Sequence, residues 1–415
     1  MKAGFGKEDI TPRLGVELCG YGYDLKRRAE SVQDNLCASC IAFESNKIFL
    51  IINCDLIGFD DKILSEIKNK IKAKYGIGEE CVMVTATHTH TGPAVKHYIG
   101  CGEVDEVYIN ELPQKIFIAA EKAISDLKEI DYIQSSQKQI EPIGYNRSIP
   151  NGPEDHYVRG FIIKRSNSPD IAVASYNCHP VAMGISRAIS RDYPGQATDA
   201  LSKNGVNGIF ITGICGDIDP VQRGSEEIIK QHGEKIAEGF FNGINDEKQY
   251  PESFSSAIIK TNVPVQMFNA EKIRQTAFDK INGRENPGYR RVVKEWEKTI
   301  LDILESESIE YIEHEEGTAH IFAVGDIIIA GINYEAFTEI GEMIRGAFPD
   351  KTIIVAGNVG AIRGYFPSKE AIVSDNAYKY EAVDSSFLYR KIPVAEEAAE
   401  VFADNVISGI KEMEI

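Results

Sequence analysis

Short apolar runs rich in Ile and Val recur along the chain, most of them ending in Gly, Pro, His or Asp, and helical spacing appears between them. Segments 48–56, 81–86, 160–164, 171–178, 206–213, 327–332 and 352–356 have the length and β-branched content of buried strands. Between the first two, Ile63, Ile67 and Ile71 recur four apart among Lys and Glu, the pattern of an amphipathic helix. Strands alternating with helices imply a layered α/β fold. Segments 158–165 and 171–178 are joined by Ser-Asn-Ser-Pro and read as an antiparallel hairpin, so the sheet is expected to be mixed. The expected architecture is a layered α/β/α domain around a mixed β-sheet, with a single domain over 1–415 and a site at the C-terminal ends of the strands. Segment 268–300 departs from this rhythm: it is densely charged, holds the only Trp at 296, and is broken by Asn282-Gly283 and Asn286-Pro287-Gly288. It reads as a helical lid or a surface insertion, with the insertion favoured.

Charge and hydropathy narrow the partners. With 63 acidic against 45 basic residues the formal charge is −18, which argues against a phosphate-tracking surface and so against nucleic acid. No apolar stretch has the length of a membrane helix, and the opening MKAGFGKEDITPRLG lacks the apolar core of a signal peptide. A cytoplasmic protein acting on a small molecule is expected, with homo-oligomer formation left open. The eight cysteines lie mostly within apolar runs and suit a reducing compartment as buried free thiols. Cys37 and Cys40 form a CxxC without a second one, and their flanks read as a strand, so core packing explains them better than a zinc knuckle.

Chemistry gathers where strands end. Strand CVMV runs into Thr85-Ala86-Thr87-His88-Thr89-His90-Thr91-Gly92-Pro93. Two His one residue apart point to opposite sides of a continuing strand, so both reach one metal only if the backbone turns; a His88 ligand with His90 beside it is the easier geometry. Strand IAVASYNC delivers His179-Pro180, strand GIFIT delivers Asp217 and Asp219 within Gly-Ile-Cys-Gly-Asp-Ile-Asp-Pro, and strand IIIAGI delivers Asn333-Tyr334-Glu335. Imidazoles and carboxylates converging from separate strands are what a catalytic zinc site needs, because few protein ligands leave a position open for water.

Six motifs in one order, THTHTGP, Asn146-Arg147-Ser148, CHPVAM, GDIDP, YEAFTEIG and GYFPS, together with the opening GFGKEDITP, resemble the motif series of the neutral/alkaline ceramidases. The resemblance spans nearly the whole chain and leaves no room for that family's C-terminal immunoglobulin-like domain. Carried over position by position, it implies zinc ligands at His88, His179, Glu335 and Tyr365, with His90 and Arg147 around the substrate carbonyl. Asp219 stands where the family has the Ser placed at the ceramide amide, which argues for a substrate other than long-chain ceramide.

The mechanism expected is attack by a water whose pKa zinc draws down to about 7. Arg147 would stabilise the developing charge, His90 would protonate the leaving atom, and Asp219 would serve as general base or hydrogen-bond acceptor. Asp192, Asp217 and His156 are further candidates for the substrate pocket. The reaction class is amide hydrolysis, with ester or lactone behind it. The rival readings are a true ceramidase, a carbohydrate hydrolase using Asp217 and Asp219, a thiol hydrolase using Cys215, and a metal-binding protein without catalysis.

Overall fold

The computed structural model describes residues 1–413. Eight strands form the larger sheet: β1 (Lys2–Asp9), β2 (Cys37–Glu44), β3 (Ile48–Cys54), β4 (Val82–Ala86), β5 (Lys128–Gln139), β6 (Tyr157–Arg165), β7 (Ile171–Tyr176) and β8 (Asn207–Thr212). They lie in the order β8-β7-β6-β5-β1-β2-β3-β4. The outermost pairs, β8 with β7 and β3 with β4, are parallel and the rest antiparallel, so the sheet is mixed. The expected hairpin is present, with Arg159 opposite Ser175 and Ile163 opposite Ile171.

A second sheet adds a layer to the expected α/β arrangement. Strands β9 (Ser255–Pro264), β10 (His314–Val324), β11 (Ile327–Ile332) and β12 (Thr352–Ala356) lie side by side in that order, with β11 and β12 parallel. Alternation along β2 explains how the two sheets meet. Ala42 pairs with Gly4, whose bare Cα abuts the backbone of helix α2 (Glu106–Ser125), while Phe43 points the other way, 4.8 Å from Phe322 of β10. Phe49 of β3 also stacks on Phe322, at 4.6 Å, so aromatic side chains from both sheets fill the space between them. Helix α1 (Asp61–Tyr75) buries Ile63, Ile67 and Ile71 as their spacing predicts. Asp60 accepts from Ile63 N to start it, and Gly76 at φ 70° ends it, a conformation that favours glycine.

Helices α3 (Asp192–Lys203) and α4 (Glu226–Asn242) cover β6 to β8, and α7 (Thr338–Gly346) covers β12. Segment 268–300 becomes the hairpin of α5 (Ala270–Ile281) and α6 (Pro287–Glu307), and α8 (Lys369–Val373), α9 (Ser385–Tyr389) and α10 (Ala398–Glu412) complete the chain. All eight cysteines are free, and Cys37 and Cys40 lie on β2. Among the described residues no helix is long and apolar enough to cross a membrane.

Candidate metal centre

Strands β4, β7 and β11 each end a few residues before one side chain of a buried cluster: His88, His179 and Glu335. The chain turns at His88, whose φ is 68°, in the left-handed region that non-glycine residues seldom occupy. That turn brings His88 and His90 to one side. Their ring centroids are 5.1 Å apart, and each stands about as far from His179, at 4.9 and 5.3 Å. One ring nitrogen from each of the three imidazoles falls within 4.8 Å of the others. Backbone bonds tie the loops together: His90 N donates to Pro180 O and His179 N to Ile218 O.

The ring nitrogens are not equivalent. Nδ1 of His88 lies 2.6 Å from Ile57 O, and Nδ1 of His179 lies 2.7 Å from Cys215 O, so each carries its proton there. Both Nε2 atoms then present lone pairs to the same carboxylate oxygen, Glu335 Oε2, at 3.1 and 3.4 Å. Acceptors aimed at one another in a buried site repel unless a cation lies between them. Pinning of the far imidazole nitrogen by a backbone carbonyl is also how protein metal sites orient their His ligands. Burial, then the charge of Arg147, pushes the His179 pKa down; burial, then the neighbouring imidazoles, pushes that of His90 well down. Neutral imidazole is the form that binds metal. Both nitrogens of His90 are buried and without a partner. These residues fit a divalent cation.

Tyr365 arrives through a two-residue parallel ladder in which Glu335 pairs with Tyr365. Its hydroxyl stands 3.4 Å from His179 Nε2 and accepts from Arg147 Nη2 at 3.0 Å. Arg147 is committed on every side. Nη2 also donates to Gly216 O at 2.8 Å, Nη1 lies 3.2 Å from Asp219 Oδ1, and Nε lies 2.9 Å from Glu381 Oε1. Burial opposes its charge, but Tyr365, Asp219 and Glu381 outweigh it and its pKa rises. Asp219 is held in turn by Arg147 on one oxygen and Arg223 on the other. Burial would raise its carboxyl, and Arg147, His179 and Arg223 together bring it below the ordinary value. With both oxygens engaged by guanidinium groups, Asp219 is placed as a clamp rather than as the free base that the sequence suggests.

Three of the sequence candidates sit apart from the cluster. Asp217 accepts from Asn146 Nδ2, from Thr338 N and from the Thr338 hydroxyl, so it caps α7 and anchors the Asn146 turn. Asp192 is wholly buried and accepts from Met183 N and Tyr193 N, which fixes the loop after His179. His156 pairs with Glu154 at 2.8 Å and neighbours the Tyr176 hydroxyl. Cys215 is buried, which pushes its thiol well up, away from the thiolate a nucleophile needs.

Several groups at the centre carry no signal in the sequence. Tyr389 donates to Glu335 Oε1 from a segment without a strand end or motif, and Glu381 comes from the same segment. Arg223 stands four residues after Asp219, the one spacing that could have revealed it. A cavity of about 30 Å³ opens beside the cluster, lined among others by His88, His90, Glu335, Tyr98, Tyr380 and Tyr389. A larger cleft, about 620 Å³, lies between α1 and the second sheet and includes none of His88, His90, His179, Glu335 or Tyr365.

The same arrangement of sheets and helices is found in a solved enzyme. The crystal structure of neutral ceramidase from Pseudomonas aeruginosa superimposes with a TM-score of 0.75 over 99% of this chain and 75% of that one, at 17% identity. The chain has the neutral ceramidase fold. A second structure, described as ceramidase complexed with C2, gives a TM-score of 0.72 over the same shares, at 15% identity. No family model matches the sequence, and no curated protein does.

Proposed function

We propose that this chain is a zinc-dependent hydrolase of the amide bond in a small, polar substrate, with His88, His179, Glu335 and Tyr365 holding the metal. The observation that carries this reading is the pair of imidazoles whose Nδ1 atoms are spent on backbone carbonyls while their Nε2 atoms face Glu335 Oε2. Imidazole nitrogen with carboxylate oxygen, and few ligands in all, is the donor set of catalytic zinc. Zinc bound there supplies a Lewis acid and a water acidic enough to react at neutral pH.

The surrounding side chains divide the remaining work. Tyr389 occupies Glu335 Oε1 and so leaves Oε2 to the metal. Arg147 fixes the Tyr365 oxygen, and Asp219 holds Arg147 in that position. His90, with both ring nitrogens free of other partners, is positioned to deliver a proton to the leaving nitrogen. Tyr98, Tyr380 and Tyr389 line the space beside the centre.

Amide chemistry is suggested by the likeness to neutral ceramidase, and a small polar substrate by Asp219, whose carboxylate stands bonded to Arg147 and Arg223 where the resemblance places a Ser. The test compares kcat/KM of the zinc-loaded protein on short N-acyl compounds and on long-chain ceramide. The short compounds are expected to be favoured at least about a hundredfold. Ceramide turnover equal to that of the best short compound would return the protein to the lipid-hydrolysing reading.

A further inference from the structure

We propose that Arg27 is a positioning residue for His90, and that it works by holding the turn at Cys19, Gly20 and Tyr21 against an imidazole that has no hydrogen bond of its own. The inference rests on the hydrolase reading for its effect on turnover, and adds to it what keeps the proton donor in place. His88 and His179 are each pinned at Nδ1 by a backbone carbonyl. His90 is buried, and neither of its ring nitrogens has a partner. The outer torsion of an imidazole is broad and two-fold, so a ring without bonds takes the orientation that its walls allow.

Two of those walls are the rings of His88 and His179. The others come from the segment between β1 and β2. Gly20 stands so close that a Cβ there would lie 2.4 Å from His90 Cγ and 2.6 Å from Nδ1. Its φ of 105° also lies in the region that favours glycine. Tyr21 packs edge-on to the imidazole, with ring centroids 5.1 Å apart.

One guanidinium holds these pieces in register. Arg27 is buried; its Nη2 donates to Cys19 O at 2.6 Å and to His90 O at 2.7 Å, and its Nη1 donates to Ser186 O at 2.8 Å. Its Cζ lies 4.7 Å from the centroid of the Tyr21 ring. Arg27 thus ties the backbone of His90 to the residue before Gly20, lies over Tyr21, and reaches the loop that follows His179. A rigid planar fork of donors suits this task in a way that a lysine ammonium does not. The same loops are also held without Arg27: Cys19 N donates to Gly92 O at 3.0 Å and His90 N to Pro180 O at 3.3 Å. Removing the guanidinium should therefore loosen the walls of the His90 ring and leave the site assembled. Proton transfer is sensitive to such loosening, since a displacement of about 1 Å can cost two powers of ten in rate.

In the hydrolysis proposed, water adds its oxygen to the carbonyl carbon, the C–N bond breaks, and a proton passes from His90 to the leaving nitrogen. Arg27→Met is compared with the native protein, both zinc-loaded, on N-acetylethanolamine as a short N-acyl substrate. Its kcat is expected to fall about tenfold, with KM within about twofold and zinc content unchanged. Placed in His90→Ala, the same substitution should alter kcat by less than about twofold, because no imidazole is left to position. Imidazole nitrogen NMR, with the His90 signals identified by their loss in His90→Ala, reads the ring without any substrate. One sharp set is expected in the native protein and a broadened or doubled set in Arg27→Met, while His88 and His179 keep single signals. If Arg27→Met does not fold, Tyr21→Leu, which removes the ring that touches both Arg27 and His90, takes its place with the same expectations. An equal loss of kcat with and without His90, a loss of zinc in step with kcat, or unchanged His90 signals overturns the inference and leaves the hydrolase reading intact. No hydrolysis of N-acetylethanolamine or of other short N-acyl compounds by the native protein overturns the hydrolase reading, and the His90 signals then decide the role of Arg27 by themselves.

Discussion

His88 sits at φ 68°, a backbone conformation that costs a non-glycine residue on the order of 1–3 kcal/mol and persists only where the surroundings impose it. Here His88 N donates to Leu56 O, its Nδ1 meets Ile57 O, and the turn delivers His90 to the same pocket. This bend is the condition under which both His of the His-Thr-His triplet can serve one centre. The two are nonetheless held differently. His88 is fixed at one nitrogen and faces Glu335 with the other, whereas His90 is unbonded at both. His90→Ala is therefore expected to retain most of the bound metal and to lose turnover by roughly two or more powers of ten, as for loss of a general acid. Metal analysis and steady-state rates on one preparation check this, and metal loss as large as that of His88→Ala would exchange the two roles. His88, His179 and Glu335 could be read from the sequence because each follows a strand of unmistakable apolar character. Tyr365 and Arg147 entered only through resemblance, since neither stands at the end of such a run.

Helices α5 and α6 form neither a free lid nor an idle insertion. Trp296 on α6 is fully buried, donates through Nε1 to Lys391 O at 2.8 Å, and packs on Phe387 with centroids 4.8 Å apart. Tyr289 meets Asp384 at 3.3 Å and Lys280 meets it at 2.5 Å. The hairpin thus braces the segment that supplies Tyr380, Glu381 and Tyr389 to the centre. Trp296→Ala is expected to cost about 3–5 kcal/mol in unfolding free energy, measured in urea, the usual penalty for emptying a large aromatic site. A loss under about 1 kcal/mol would mean that the hairpin is peripheral. Helical spacing and the Asn-Gly and Asn-Pro-Gly breaks made this hairpin visible in the sequence. What it packs against was not visible, because its contacts lie nearly a hundred residues away. Strands β5 and β9 were also hidden: sequences such as KEIDYIQSSQKQ are only partly buried and carry too few apolar residues to declare a face.

Across the whole molecule, buried histidines couple stability to pH. His320 is 7% exposed, donates from Nε2 to Glu80 O at 2.9 Å, and burial pushes its pKa down to about 4 from an ordinary value near 6.5. Between those values the unfolded chain binds the proton and the folded chain does not, so this group's contribution to stability is full above about 6.5 and is lost as pH falls toward 4. Asp55 and Asp192, pushed up by burial to about 6, act in the opposite sense over a similar range. The histidine contribution therefore shows best as a difference. Relative to the native chain, His320→Gln should gain about 3 kcal/mol between pH 7 and pH 4, at about 1.4 kcal/mol per pKa unit. A pH-independent difference would place His320 in a hydrated setting. The central claim concerns the metal: the neutral ceramidase fold gathers His88, His179, Glu335 and Tyr365 around one divalent cation. Its most direct test is elemental analysis of the purified protein, dialysed against metal-free buffer, beside His179→Ala and Glu335→Gln. About one zinc per chain is expected in the native protein, with a large loss of zinc in both variants whose folding is verified by circular dichroism. Full zinc occupancy in both folded variants, or no metal in the native protein after zinc is supplied, would contradict the assignment of this centre.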